Sequence, residues 1–156
     1  MVGIGYDIHR LENGQSLILG GIKIASEIGT VAHSDGDVLI HSIIDALLGA
    51  ASLGDIGDYF PDTDSKYKNI ASKELLIIVS NMLSENKLRI INIDATIVLE
   101  KPKLSSYKLA IKNNLAQILS ISEKQINIKA TTNEKLDSIG SCNSIAVFSI
   151  CQLEQM

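Results

Sequence analysis

The sequence has no tryptophan, and aromatic residues make up only 4% of its 156 positions. Its core must be assembled from Ile, Leu, Val and Ala, which the 46% hydrophobic content can supply. Cysteine occurs only at Cys142 and Cys151, with no CxxC pair. That excludes a disulfide framework, fits a reducing cytoplasmic setting, and makes both thiols small buried apolar groups. No apolar run nears the ~20 residues that cross a bilayer, and no basic or Arg/Ser-rich leader opens the chain. No basic stripe is present either: 14 Lys+Arg are spread along a chain of net charge -4. Nucleic acid is thereby excluded as a partner. A small anion is not, because a few local cations or a metal ion can hold phosphate against an acidic average. The length fits one compact domain over 1–156, large enough to bury roughly two thirds of its unfolded surface.

What is present is a regular mixture of elements. Residues 2–9 alternate as a strand, with Val2, Ile4, Tyr6 and Ile8 on a core-like face. Gly3, Gly5, Asp7 and His9 lie on an open one. Residues 16–19 and 22–25 read as short strands joined at Gly20-Gly21. Ser34 and Asp37 form an S-x-x-D capping box that starts a helix running to about Gly54. Residues 55–69 carry loop chemistry, and 71–86 and 104–119 have helical spacing. Between them a strand over 90–100 puts Ile91, Ile93, Ala95, Ile97 and Leu99 on one face and stops at Pro102. Strands around Ile126–Ala130 and at 144–153 complete the pattern, the last apolar on both faces. The expected fold is α/β (α+β), a mixed β-sheet with helices packed on one side.

Asp7 and His9, spaced i, i+2 on a strand, project from one face, about 6–7 Å apart at the backbone. His41 lies on the following helix and could join them. One carboxylate and two imidazoles suit Zn²⁺ with an open fourth position; the same D-x-H spacing also fits an ion pair or a satisfied histidine. Asp37 and Asp45 flank His41 at i−4 and i+4. Either could take its second ring N–H, or both could simply face solvent. His33 and Ser34 sit at the mouth of the helix, where unpaired N–H groups attract phosphate; a plain cap would explain Ser34 equally.

The segments GYDIHR, AHSDGDVLIHSIIDALLGAASLGDIGDYFPDTD, LEKPKL and KATTNEKL together resemble the 2-C-methyl-D-erythritol 2,4-cyclodiphosphate synthase family, collinearly over nearly the whole chain. The resemblance implies an enzyme that converts 4-diphosphocytidyl-2-C-methyl-D-erythritol 2-phosphate to the cyclic diphosphate and CMP. It implies Zn²⁺ on Asp7, His9 and His41, and Mg²⁺ or Mn²⁺ held with the help of Glu134. His33 and Thr132 would stabilise the transition state, with Ser34 binding substrate beside His33. The methylerythritol part would be held by Asp55, Ile56, Gly57, Phe60, Pro61, Asp62, Thr63 and Asp64. The cytidine end would be held by Leu99, Glu100, Lys101, Pro102, Lys103, Leu104 and Ser105, together with Ala130, Thr131 and Thr132. It also implies a homotrimer about a three-fold axis, with sites between subunits and a central cavity.

One stretch departs from the family pattern. After KATTNEKL the usual GFTGRGEG is replaced by DSIGSCNS, with Asp137 at a glycine position and Ser141 at an arginine position. Tight isoprenoid-diphosphate binding in the cavity is therefore not expected. Competing expectations are a phosphoesterase that hydrolyses the same diphosphate, and a trimeric ligand-binding protein without activity.

Overall fold

The structure is a computed structural model that describes every residue except Asp62 and residues 64–69. Seven strands are present among the described residues: β1 (Val2–Asn13), β2 (Leu17–Leu19), β3 (Ile22–Ile24), β4 (Ile28–Val31), β5 (Leu88–Val98), β6 (Ile126–Thr131) and β7 (Ser144–Gln155). Five form one sheet in the order β4-β1-β7-β5-β6, antiparallel except for the β5–β6 pair. β2 and β3 form a separate hairpin. Its turn needs positive φ at both central residues, and Gly20 and Gly21 supply +59° and +76°.

Helices α1 (Val38–Ala50), α3 (Ser72–Glu85) and α4 (Lys108–Leu119) cover one side of the sheet, with short helices α2 (Ile56–Tyr59) and α5 (Asp137–Gly140) at its ends. α1 is buried almost all round, by β1 and β7 on one side and α3 on the other. The core of Leu39, Ile43, Leu47, Leu76, Ile93 and Val147 lies between sheet and helices. Among the described residues, no helix is long and apolar enough to cross a membrane.

Several expectations need correction. The alternation of β1 is present, but its faces are exchanged. Val2 and Ile4 are 70% and 69% exposed, and Tyr6 and Ile8 are exposed beside them. Gly3 and Gly5 are the inward residues. A Cβ at Gly3 would stand 2.0 Å from the Ala46 carbonyl oxygen, and one at Gly5 1.9 Å from that of Ser42. Glycine here lets α1 lie directly on the strand, and Ser42 Oγ donates to the Gly5 carbonyl at 3.1 Å. Phe148 and Ile150 of β7 share the outward face, where the Phe148 ring lies 4.9 Å from that of Tyr6.

In β5 a bulge between Ile90 and Asn92 turns Ile91 off the core face and buries Ile90 instead. The 55–69 loop contains α2, whose capping box pairs Asp55 with Asp58. α4 begins at Lys108 rather than Leu104, and β4 and α5 have no counterpart in the sequence reading.

Candidate functional site

Because the glycine face of β1 is packed on α1, Asp7 and His9 also point toward that helix, where His41 precedes Ser42. Asp7 Oδ2 lies 3.1 Å from His9 Nε2 and 3.2 Å from His41 Nδ1, and the two nitrogens are 3.3 Å apart. Among the described residues this is the one group of three whose ligand atoms converge in this way. The triangle is nearly equilateral. Its sides match the roughly 3.3 Å edge of a tetrahedron around an ion bound at ~2.0–2.1 Å, so the donor set and its spacing fit a small divalent cation.

Burial pushes the Asp7 carboxyl up, but hydrogen bonds from His41 and His9 outweigh it and hold the group well below the usual carboxylate range. His41 responds in the opposite sense. Burial favours its neutral form, yet the hydrogen bond to Asp7 and the charges of Asp7, Asp37 and Asp35 raise its pKa.

Neither Asp37 nor Asp45 takes the second ring nitrogen of His41. Asp37 is the N-cap of α1, correcting the capping role read for Ser34. Its fully buried carboxylate accepts from the N–H groups of Gly20 (2.9 Å), Gly21 (2.7 Å) and Ile40 (3.0 Å). Burial pushes it up to about 6, against the pull of those three donors. It ties the β2–β3 turn to α1 and fills the helix end that the sequence suggested for phosphate. Asp45 accepts from Ile56 N at 2.8 Å and so anchors α2 beside the triad. The ring nitrogen Nε2 of His41 lies 2.9 Å from Ser72 Oγ and 3.4 Å from Ser34 Oγ. Ser72 in turn meets Asp35. Neither Ser72 nor Asp35 was singled out from sequence, because their proximity to His41 is non-local. The one local signal is that HSDGD offers two aspartates and α1 needs only one as its cap.

The remaining candidates fall into two clefts. The first, about 820 Å³ including its open mouth, holds Asp7, His9 and His41 with His33 and Ser34 on one side and Ile56, Gly57 and Phe60 on the other. Asp55 stands at its edge, using its side chain to cap α2. Pro61 and Thr63 are exposed beyond α2 and do not line this cleft, and Asp62 and Asp64 lie outside the described residues. The second cleft, about 540 Å³, is lined by Leu99, Glu100, Pro102, Lys103, Leu104, Ser105, Ala130, Thr131 and Thr132. Lys101 faces a neighbouring groove instead. Glu134 adjoins Thr132, whose Oγ1 donates to its carboxylate at 3.4 Å.

The two clefts share no lining residue. Three strand steps separate β1 from β6, about 14 Å across the sheet. Within one chain, therefore, Thr132 and Glu134 do not join His33 and the triad.

The YgbB family matches residues 1–154. The chain belongs to this family. It is 53% identical to the 2-C-methyl-D-erythritol 2,4-cyclodiphosphate synthase of Clostridium novyi, over 99% of this chain and 98% of that one. It superposes on the bifunctional IspDF of Campylobacter jejuni with a TM-score of 0.96 and 45% identity, covering 99% of this chain and 42% of that longer one. A 2C-methyl-D-erythritol-2,4-cyclodiphosphate synthase solved in its CDP-bound form gives a TM-score of 0.91 at 32% identity, covering 99% and 100%. In the DSIGSCNS stretch, Asp137 and Cys142 have positive φ of 53° and 61°, a backbone conformation that favours glycine. Ser141, at the arginine position, is exposed and donates its hydroxyl to the Asp137 carbonyl at 2.7 Å.

Proposed function

We propose that this protein is a cyclase that converts 4-diphosphocytidyl-2-C-methyl-D-erythritol 2-phosphate to 2-C-methyl-D-erythritol 2,4-cyclodiphosphate and CMP. The observation that carries the reading is the Asp7–His9–His41 triangle, opening on a cleft beside His33, in a chain 53% identical to a synthase of that name.

In this reaction the substrate's 2-phosphate oxygen bonds to the β-phosphorus of its own diphosphate while the bond from that phosphorus to CMP breaks. No protein nucleophile is needed, so the residues act by folding the substrate back and neutralising charge. Asp7, His9 and His41 would hold Zn²⁺, which supplies a Lewis acid for a phosphoryl oxygen. His33 and Thr132 would donate to the transferring phosphoryl group, and Ser34 would hold the substrate next to His33. Glu134 would help hold Mg²⁺ or Mn²⁺, which would neutralise charge on the diphosphate. Residues Asp55, Ile56, Gly57 and Phe60 would take the methylerythritol end. The Leu99–Ser105 and Ala130–Thr132 cleft would take the cytidine, in keeping with the CDP-bound relative.

A site whose halves stand in separate clefts of one chain is complete only if a neighbour supplies the second half, which supports an oligomer with sites between subunits; we take it to be the cytoplasmic homotrimer that the family resemblance implies. The test is to incubate purified protein with the diphosphocytidyl substrate and follow phosphorus NMR. Cyclic product and CMP should appear together, and His41→Ala should abolish both while keeping its helix, since alanine is a strong helix former. CMP without cyclic product would replace the cyclase with a phosphoesterase.

A further inference from the structure

The atoms around His41 on the side away from Asp7 form a directional chain. Ser72 is the first residue of α3, and its side chain is wholly buried. The residue before it, Ala71, has no side chain that can cap the helix. Asp35 caps it from outside: one carboxylate oxygen accepts the Ser72 N–H at 2.9 Å, and the other accepts the Ser72 hydroxyl in a short hydrogen bond.

A serine hydroxyl alone has no fixed direction, since it can donate or accept. A carboxylate offers only lone pairs, so the hydrogen of Ser72 is committed to Asp35. What Ser72 presents to His41, 2.9 Å away, is then a lone pair, which draws the ring hydrogen to Nε2 against the rival acceptor Asp7 Oδ2, 3.2 Å from Nδ1. A neutral imidazole with its hydrogen on Nε2 has a bare Nδ1, and Nδ1 is the atom at the corner of the triangle with Asp7 and His9. Among the described residues, Ser34 supplies the other hydroxyl near Nε2. At 3.4 Å it is a poorer partner, and its oxygen also accepts from Gly36 N.

We propose that Asp35 and Ser72 are positioning residues that fix the tautomer and ring orientation of His41, presenting Nδ1 as a ready metal ligand. This rests on the reading of the triad as a metal site. The pair also ties the loop carrying His33 to the start of α3, so the relay and the wall of the cleft are held by the same carboxylate.

The experiment combines Zn²⁺ affinity, from competition with a chromophoric chelator, with ¹⁵N NMR of His41 in the metal-free protein at a pH where the ring is neutral. Against the pull of Asp7 at Nδ1, the native protein should show a measurable share of the Nε2–H tautomer. Ser72→Ala should lose that share and bind Zn²⁺ roughly 10- to 100-fold more weakly. Its α3 should stay folded, because Asp35 still accepts the backbone N–H. Ser72→Thr, which keeps the hydroxyl, should restore both readings.

Asp35→Asn carries a sharper expectation. Its amide N–H₂ can donate to the Ser72 oxygen, freeing that hydroxyl to donate to Nε2 and driving the ring hydrogen to Nδ1, the wrong tautomer for this site. Unchanged tautomer and unchanged affinity in Ser72→Ala would overturn the proposal. So would an equal loss in Ser72→Thr accompanied by a collapse in metal-free melting temperature. Failure of the native protein to hold Zn²⁺ would sink the metal reading instead, and the tautomer signal alone would then decide whether the relay exists.

Discussion

Asp7 sits between two imidazoles, and in the absence of a cation its charge is answered by a proton on His41. The folded pKa of His41 lies above the unfolded value of ~6.5. The stability this pairing contributes is therefore complete below pH ~6.5 and is lost as pH rises through the folded value. Asp37 acts in the same sense at lower pH. Its folded value of about 6 exceeds the unfolded ~3.9, so its contribution fades as pH rises through about 6. Asp7 has the opposite sign, its contribution disappearing only in strong acid. We expect the melting temperature of the metal-free protein to fall from pH ~4 upward, through about 6 for Asp37 and on through the raised folded value of His41, with the His41→Ala variant losing the upper part of that slope. Zn²⁺ must displace the same proton, so its affinity should climb over the same window; calorimetry at three pH values checks this, and a flat profile would remove His41 from the ligand set. Glu134→Gln should leave zinc content unchanged and cut turnover at limiting Mg²⁺. Loss of a charge-assisted contact of about 1.5–3 kcal/mol corresponds to roughly ten- to hundred-fold in rate. Unchanged turnover would take Glu134 out of the mechanism.

At the scale of elements, the closeness of α1 to β1 decides whether the triangle exists. The Ser42 carbonyl is backbone and cannot swing aside, so Gly5→Ala must push α1 off the strand. We expect a loss of about 1–3 kcal/mol in stability, together with weakened Zn²⁺ binding, because His41 precedes the displaced residue. Gly49 on the same helix has nothing within 4 Å of a built Cβ. Gly49→Ala should therefore stabilise the protein by about 0.5–1 kcal/mol and leave zinc affinity alone. Thermal denaturation beside the zinc titration separates the two. The same contact shows where sequence reading stops. Periodicity gave β1 its alternation, but no single-chain rule says which face a strand buries. The apolar face of β1 turned out to be the exposed one, since glycines were needed on the other. Asp7, His9 and His41 could be grouped from spacing and residue type, whereas Ser72 and Asp35 could not, because α3 meets the HSDGD loop only after folding. S-x-x-D is a local pattern and points to Ser34 as the cap. Asp37 takes that place because its carboxylate also serves two N–H groups of a hairpin turn, sixteen and seventeen residues away. β4 has four residues, too few for a period to be seen.

At the scale of the whole molecule, Val2, Ile4, Tyr6, Ile8, Phe148 and Ile150 form one continuous apolar face on the uncovered side of the sheet. A surface of that kind marks a site of association, and the proposed homotrimer would bury it. Sedimentation should give about three times the 16.8 kDa chain mass. Phe148→Asp should release smaller species and abolish turnover with the zinc ligands intact; a trimer that persists unchanged would place the contact elsewhere. The division of the candidate site between two clefts has a further consequence, which is genetic in form. A chain carrying His41→Ala is damaged in one cleft and a chain carrying Thr132→Val in the other, so each should be inactive by itself. Co-assembled, the Thr132→Val chain can lend its metal half to the nucleotide half of a His41→Ala neighbour. Random mixing in equal amounts would rebuild about a quarter of the sites, so two dead alleles expressed together should support growth that neither supports alone.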